Sequence, residues 1–170
     1  MKTRMFGKVF FAVALVAASQ CLTVGARAAG YDDQEALAGL KEVKVAFDIT
    51  TGAGKALLGR LKVIDETRQS LIQQGVTPHF VITFRGPATR LIQSDMSKVK
   101  PEDRALAAQI SAKLKEMRSA KGVENLEQCS VAVREQGTKP ENVDPSVKVV
   151  GNAWISLMAY QARGYAYIAP

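Results

Sequence analysis

Residues 44–84 read KVAFDITTGAGKALLGRLKVIDETRQSLIQQGVTPHFVITF, and this stretch decides the fold class. Lys44 to Ile49 is a short apolar, β-favouring run stopped by Thr50-Thr51-Gly52, the pattern of a buried first strand. From Lys55 to Gln74 the period changes. Leu57, Leu58, Leu61, Ile64, Leu71 and Ile72 fall on one face at helical spacing, and Gly75 closes the helix. Thr77 to Phe84 is apolar and β-favouring again, so the unit reads strand, helix, strand.

Downstream the alternation continues. Arg85-Gly86-Pro87 turns the chain into a short helix around Ala88 to Gln93, with Pro87 suited to its first turn. After a polar linker, Pro101-Glu102-Asp103 opens a helix with acids in its first turn. Leu106, Ile110, Leu114 and Met117 line one side of it, Lys115, Arg118 and Lys121 complement its C-terminal end, and Gly122 terminates it. Val123 to Cys129 is the third strand, the weakest by pattern because Glu124, Asn125, Glu127 and Gln128 interrupt it. Ser130 to Gln136 reads as a short helix ended by Gly137, Pro140 to Asp144 as a turn, and Val147 to Val150 as the fourth strand. Asn152 to Arg163 reads as a last helix stopped by Gly164, and Tyr165 to Ile168 as the fifth strand. Strands separated by helical segments predict a three-layer α/β/α domain with a five-stranded, mainly parallel sheet, because parallel neighbours need crossovers that place helices on the sheet faces.

Upstream, Lys2, Arg4 and Lys8 precede an apolar run from Val9 to Ala18 that is too short to span a bilayer, and Ala26 and Ala28 supply an A-x-A cleavage pattern. Residues 1–28 are therefore expected to be a signal peptide, residues 29–41 a mobile leader or short docking helix, and residues 42–170 the α/β domain. A lipoprotein reading through Cys21 is weaker, since Gln20 stands where a small residue is wanted. The expected location is the periplasm, with no stable membrane span. Export also alters the charge. The whole chain carries +7, but four of its 23 basic residues and none of its 16 acidic ones lie in the first 28, which leaves +3. No later stretch concentrates Lys and Arg with stacking aromatics, so a nucleic-acid partner is not expected.

Ligands of open α/β sheets bind beyond the carboxyl ends of the strands. Those ends carry Asp48, Thr50 and Thr51 after the first strand, Arg85 after the second, Cys129 closing the third and Asn152 after the fourth. Cleavage would leave Cys129 as the sole cysteine, unable to form an intrachain disulfide. It precedes a predicted helix, whose amides and dipole favour thiolate, which makes it the candidate nucleophile. The opposing reading is a small buried hydrophobe, and for Arg85 and Asp48 a solvated charge and a turn cap. Gly52-Ala53-Gly54-Lys55 lacks the Gly and Ser/Thr of a phosphate loop and is at most a weak anion nest. His79 is the only histidine and reads as a strand residue, so no metal site is expected. Trp154 and the tyrosines 160, 165 and 167 read as core or subunit interface.

The segments KVAFDITTG, VTPHFVITFRGPATRLI, LEQCSVAVREQG and VKVVGNAWISLMAYQARGYAYI together resemble the DsrE/DsrF-like family of sulfur-relay proteins over roughly residues 42–170. The resemblance implies a persulfide carried on the cysteine that aligns with Cys129, a five-stranded parallel sheet, and assembly into trimers or hexamers. It assigns no role to Asp48, Arg85 or Asn152. The leading expectation is a periplasmic sulfurtransferase or sulfur carrier that needs no cofactor and takes sulfur from a small sulfur compound or a sulfur-carrying protein. The alternatives are a non-catalytic ligand-binding or assembly module with a structural cysteine, and a redox-sensing thiol.

Overall fold

The structure, a computed structural model, describes residues 32–170; the expected signal peptide, Cys21 and the first residues of the leader lie outside them. The elements run β1 (Glu42–Ile49), α1 (Gly54–Gln73), β2 (Thr77–Phe84), α2 (Arg104–Arg118), β3 (Val123–Cys129), α3 (Ser130–Glu135), β4 (Lys148–Val150), α4 (Ala153–Ala162) and β5 (Ala166–Ile168). Short 3-10 turns fill the long β2–α2 connection, the first of them over Gly86–Leu91, two residues ahead of the short helix the sequence predicts around Ala88 to Gln93. Within the leader, the Leu37 amide donates to the Asp33 carbonyl, and the Asp33 amide donates to Oε1 of Gln74, the residue that caps the C-terminus of α1.

All five strands are parallel, in the order β4-β3-β2-β1-β5. From β1 to β4 the chain steps steadily in one direction across the sheet, and α1 and α2 pack beside each other on one face. The α4 crossover then carries the chain over the other face to the free edge of β1. This is the three-layer parallel architecture the sequence predicts.

The two faces differ in chemistry, and the strand alternation sets the difference. Toward α1 and α2 point Val45, Phe47, Ile49, Phe80, Ile82, Phe84 and Leu126, which meet Leu57, Leu61, Ile110, Leu114 and Met117 in one continuous core. Each such side chain contributes about 1.5–3 kcal/mol on burial. The face under α4 has a small apolar cluster, Ala46, Val81, Leu157 and Tyr160, among polar groups. That asymmetry explains why β3 looks irregular as a sequence. Its Asn125 and Glu127 face α4, where they bond Tyr160 and Ser156, and a register irregularity opposite Phe80 and Val81 places Glu124 beside His79.

Candidate functional site

The carboxyl ends of β1 to β4 form one rim, and local structure decides what reaches it. Cys129 ends β3 in extended conformation and starts α3, yet its side chain caps nothing in that helix. The sulfur instead accepts a hydrogen bond from the Ala153 N–H of α4 at 3.3 Å. One helix amide does meet the thiol, therefore, but it belongs to the helix after β4 rather than the one after β3. Two further bonds fix this junction. Asn152 Oδ1 accepts from the Trp154 amide at 2.9 Å, capping α4, and Ser130 Oγ donates to the Gly151 carbonyl at 2.6 Å.

Cys129 is only 4 % exposed, and it forms part of the wall of a cavity of about 190 Å³. At ~30 Å³ of liquid volume per water, that space holds about six waters, or a donor of a few non-hydrogen atoms. Arg85, Gly86, Asn152 and Trp154 share the wall with the thiol, as does the carboxylate-bearing Glu135.

Arg85 is held from behind. Its Nε and Nη2 donate to the two oxygens of Asp48 at 2.8 and 2.6 Å, and the Tyr167 hydroxyl donates to Asp48 Oδ2 at 2.7 Å. Asp48 is buried, while the Arg85 side chain keeps 29 % of its surface. The hydrogen bonds to Asp48 push the Arg85 guanidinium above its ordinary range and hold the Tyr167 phenol protonated to higher pH than usual. Asp48 takes the Nε–Nη2 edge of the fork, which leaves Nη1 outside the pair. The Trp154 ring centre lies 5.8 Å from the guanidinium carbon.

Behind the thiol, Glu127 is buried and accepts from Ser156 Oγ at 2.6 Å and from the Tyr160 hydroxyl at 3.0 Å. These bonds tie α4 to β3 and so set where the Ala153 amide falls. Burial, followed by the Glu127 charge, pushes the Tyr160 phenol up.

Of the sequence candidates, Cys129, Arg85 and Asn152 line one cavity and Asp48 supports it from below. Thr50 and Thr51 lie outside that wall; Thr51 Oγ1 accepts from the Ala53 amide instead. Sequence reasoning missed Tyr167 and Glu127 as site residues, and it gave Trp154 only a packing or interface role. His79 sits on β2 between Glu124, 2.9 Å from Nδ1, and Glu42, 3.4 Å from Nε2. Among the described residues no cluster of His, Cys, Asp and Glu is placed to hold a metal ion, and no helix is long and apolar enough to cross a membrane.

Fold and site define a class: a parallel-sheet α/β protein with a thiol at its carboxyl rim, bonded by a backbone amide and sharing a cavity wall with an arginine. The chain belongs to the DsrE/DsrF-like family, whose family model matches residues 26–170. It is 28% identical over 126 residues to an uncharacterized protein of Aquifex aeolicus (strain VF5), covering 74% of this chain and 55% of that one. The chain thus spans about half the length of that relative. Among solved structures it is similar to a protein of unknown function, MTH1491, from Methanobacterium thermoautotrophicum. The TM-score is 0.59 at 19% identity, covering 75% of this chain and 99% of that one, which shows the fold. Family membership associates the chain with sulfur relay at the level of the family.

Proposed function

We propose that the chain is a sulfur carrier that holds sulfane sulfur as a persulfide on Cys129. The observation that supports this most directly is that Cys129, whose sulfur accepts from the Ala153 amide, shares a cavity wall with Arg85. The reaction needs no cofactor. With thiosulfate as donor, the Cys129 thiolate attacks the outer sulfur, a new S–S bond forms, the donor S–S bond breaks, and sulfite leaves with the electron pair. The product is the Cys129 persulfide anion, and total charge is unchanged. Arg85 faces the departing oxyanion, and the Ala153 N–H meets the charge on the attacking sulfur, roles suited to charge-assisted hydrogen bonds.

Intact-mass spectrometry of reduced protein incubated with thiosulfate or polysulfide tests the proposal. The expected result is a gain of one sulfur atom that vanishes in Cys129→Ser. No gain with the thiol shown to be reduced overturns it.

Three companions of the reading are proposals as well. The sulfur comes from a small sulfur compound or a sulfur-carrying protein. The chain works in the periplasm after cleavage near Ala28, which N-terminal sequencing of the exported protein checks. It also self-associates, by family resemblance as a trimer or hexamer, through the outer face of α4, where Trp154, Ile155 and Met158 are each about 60 % exposed. A second reading draws on the burial of Cys129: the Sγ–Ala153 bond serves only to seat α4, in a binding module without sulfur chemistry. In that case Cys129→Ala leaves ligand binding intact and the native thiol resists alkylation.

A further inference from the structure

On the other side of the first 3-10 turn lies a second cavity, of about 350 Å³, which shares no lining residue with the Cys129 site. Its charge is one-sided. Arg90, Lys98 and Lys100 line it against a single carboxylate, Asp103. All three cations are exposed, and none makes a side-chain hydrogen bond or ion pair with another described residue.

The loop that carries the two lysines is fixed in place. Asp95 Oδ1 accepts from the Ser97 amide at 2.8 Å, and Arg104 donates to the carbonyls of Val99 and Ser97 at 3.1 and 3.4 Å. Those two carbonyls are thereby engaged by the Arg104 guanidinium. Opposite, Gly52 packs so tightly on Pro87 that a Cβ there would lie 2.7 Å from the proline Cβ. Two residues later α1 begins, twenty residues long, with no side-chain cap and no acid in its first turn. Its positive end is therefore unneutralised beside the cavity wall. A fourth element adds a polar group of another kind, since the half-buried Gln136 lines the cavity and its side-chain amide makes no hydrogen bond to another described residue. Cations and a free helix start suit an oxyanion; an orphan amide suits a hydroxyl or ring nitrogen on the body of the same ligand. The volume lies in the range of small-molecule sites and exceeds what an inorganic anion fills.

We infer that this cavity is a second binding site, for a phosphorylated small molecule of about nucleoside-monophosphate size, whose phosphate lies among Arg90, Lys98 and Lys100 and whose polar body reaches Gln136. The site stands apart from the thiol and does not depend on its chemistry.

Titration calorimetry of the full domain at low ionic strength, with AMP, ribose 5-phosphate, inorganic phosphate and adenosine as probes, tests it. One or both organic phosphates are expected to bind at least tenfold more tightly than inorganic phosphate or adenosine. Binding should weaken as salt is raised. The exposed-surface variant Arg90→Gln/Lys98→Gln/Lys100→Gln should lose at least tenfold in affinity with its circular dichroism unchanged, Gln136→Ala should lose severalfold, and Arg85→Gln should bind as the parent does. Absence of binding by both organic phosphates, or affinity unchanged in the triple variant, overturns the assignment. Loss in Arg85→Gln equal to that in the triple variant also overturns it, by moving the anion to the Cys129 cavity.

Discussion

At the scale of single residues, the site rests on two held groups. Arg85 is fixed by a buried carboxylate and a phenol contributed by β1 and β5, so its direction is set before any ligand arrives. Replacing it by Gln removes the charge that faces an anionic donor. Loading of Cys129 by thiosulfate should slow by about tenfold or more, measured as the rate of mass gain, because charge-assisted hydrogen bonds contribute about 1.5–3 kcal/mol. Asp48→Asn should slow the same reaction less while leaving the charge of Arg85 in place. Asn152→Ala removes the cap of α4, the helix whose first amide, that of Ala153, donates to the thiol. It should cost about 1 kcal/mol in denaturant unfolding and change the rate at which Cys129 reacts. Much of this site was legible in the chain, because Asp48, Arg85, Cys129 and Asn152 all stand at strand ends, where open parallel sheets bind ligands. The rest was hidden for physical reasons. The Ala153 donor is a backbone amide with no side-chain signature, and Tyr167 meets Asp48 across 119 residues of sequence.

At the scale of elements, a charged clamp joins α1 to α2. Asp65 is buried and accepts from Arg68 at 2.8 Å, Gln69 at 2.9 Å and Lys113 at 2.7 Å. Burial alone would raise its pKa, but the bonds from Lys113 and Arg68 outweigh that and hold the carboxyl below its ordinary range. A carboxyl lowered on folding stabilises the protein above its unfolded pKa, and this contribution is lost as the pH falls through the folded value. Asp65→Asn should therefore cost about 2 kcal/mol at neutral pH and flatten the acid limb of the stability profile, as read by urea unfolding across pH. The turn between α2 and β3 is a second point of constraint. Gly122 has φ +90, and a Cβ there would meet Pro78 Cγ at 2.6 Å and the Pro78 carbonyl oxygen at 2.9 Å. Gly122→Ala should destabilise by about 2–4 kcal/mol, since both the backbone and the neighbour oppose it. Element order and type followed from periodicity with little loss. The weakest segment, β3, is a true central strand; its polar residues serve the hydrogen bonds under α4, a pairing that periodicity does not encode.

At the scale of the whole molecule, the sheet is covered unequally. Two long helices seal one face, while the ten-residue α4 crosses the other and turns Trp154, Ile155 and Met158 outward. If a second copy covers that face, Ile155→Glu/Met158→Glu should shift the sedimentation coefficient toward the monomer while far-ultraviolet circular dichroism stays unchanged; a parent protein already monomeric at high concentration contradicts this. The chemistry and the assembly converge at the start of α4, because Trp154 both borders the Cys129 cavity and begins the apolar stripe.

The functional account depends on whether a small reagent reaches the Cys129 sulfur while the domain stays folded. The direct measurement is the rate of alkylation by iodoacetamide under native conditions, followed by intact mass and compared with the rate in denaturant. The account predicts native alkylation of the reduced thiol within about a hundredfold of the unfolded rate. Protection that is lifted only by global unfolding would contradict it and leave Cys129 as packing for α4.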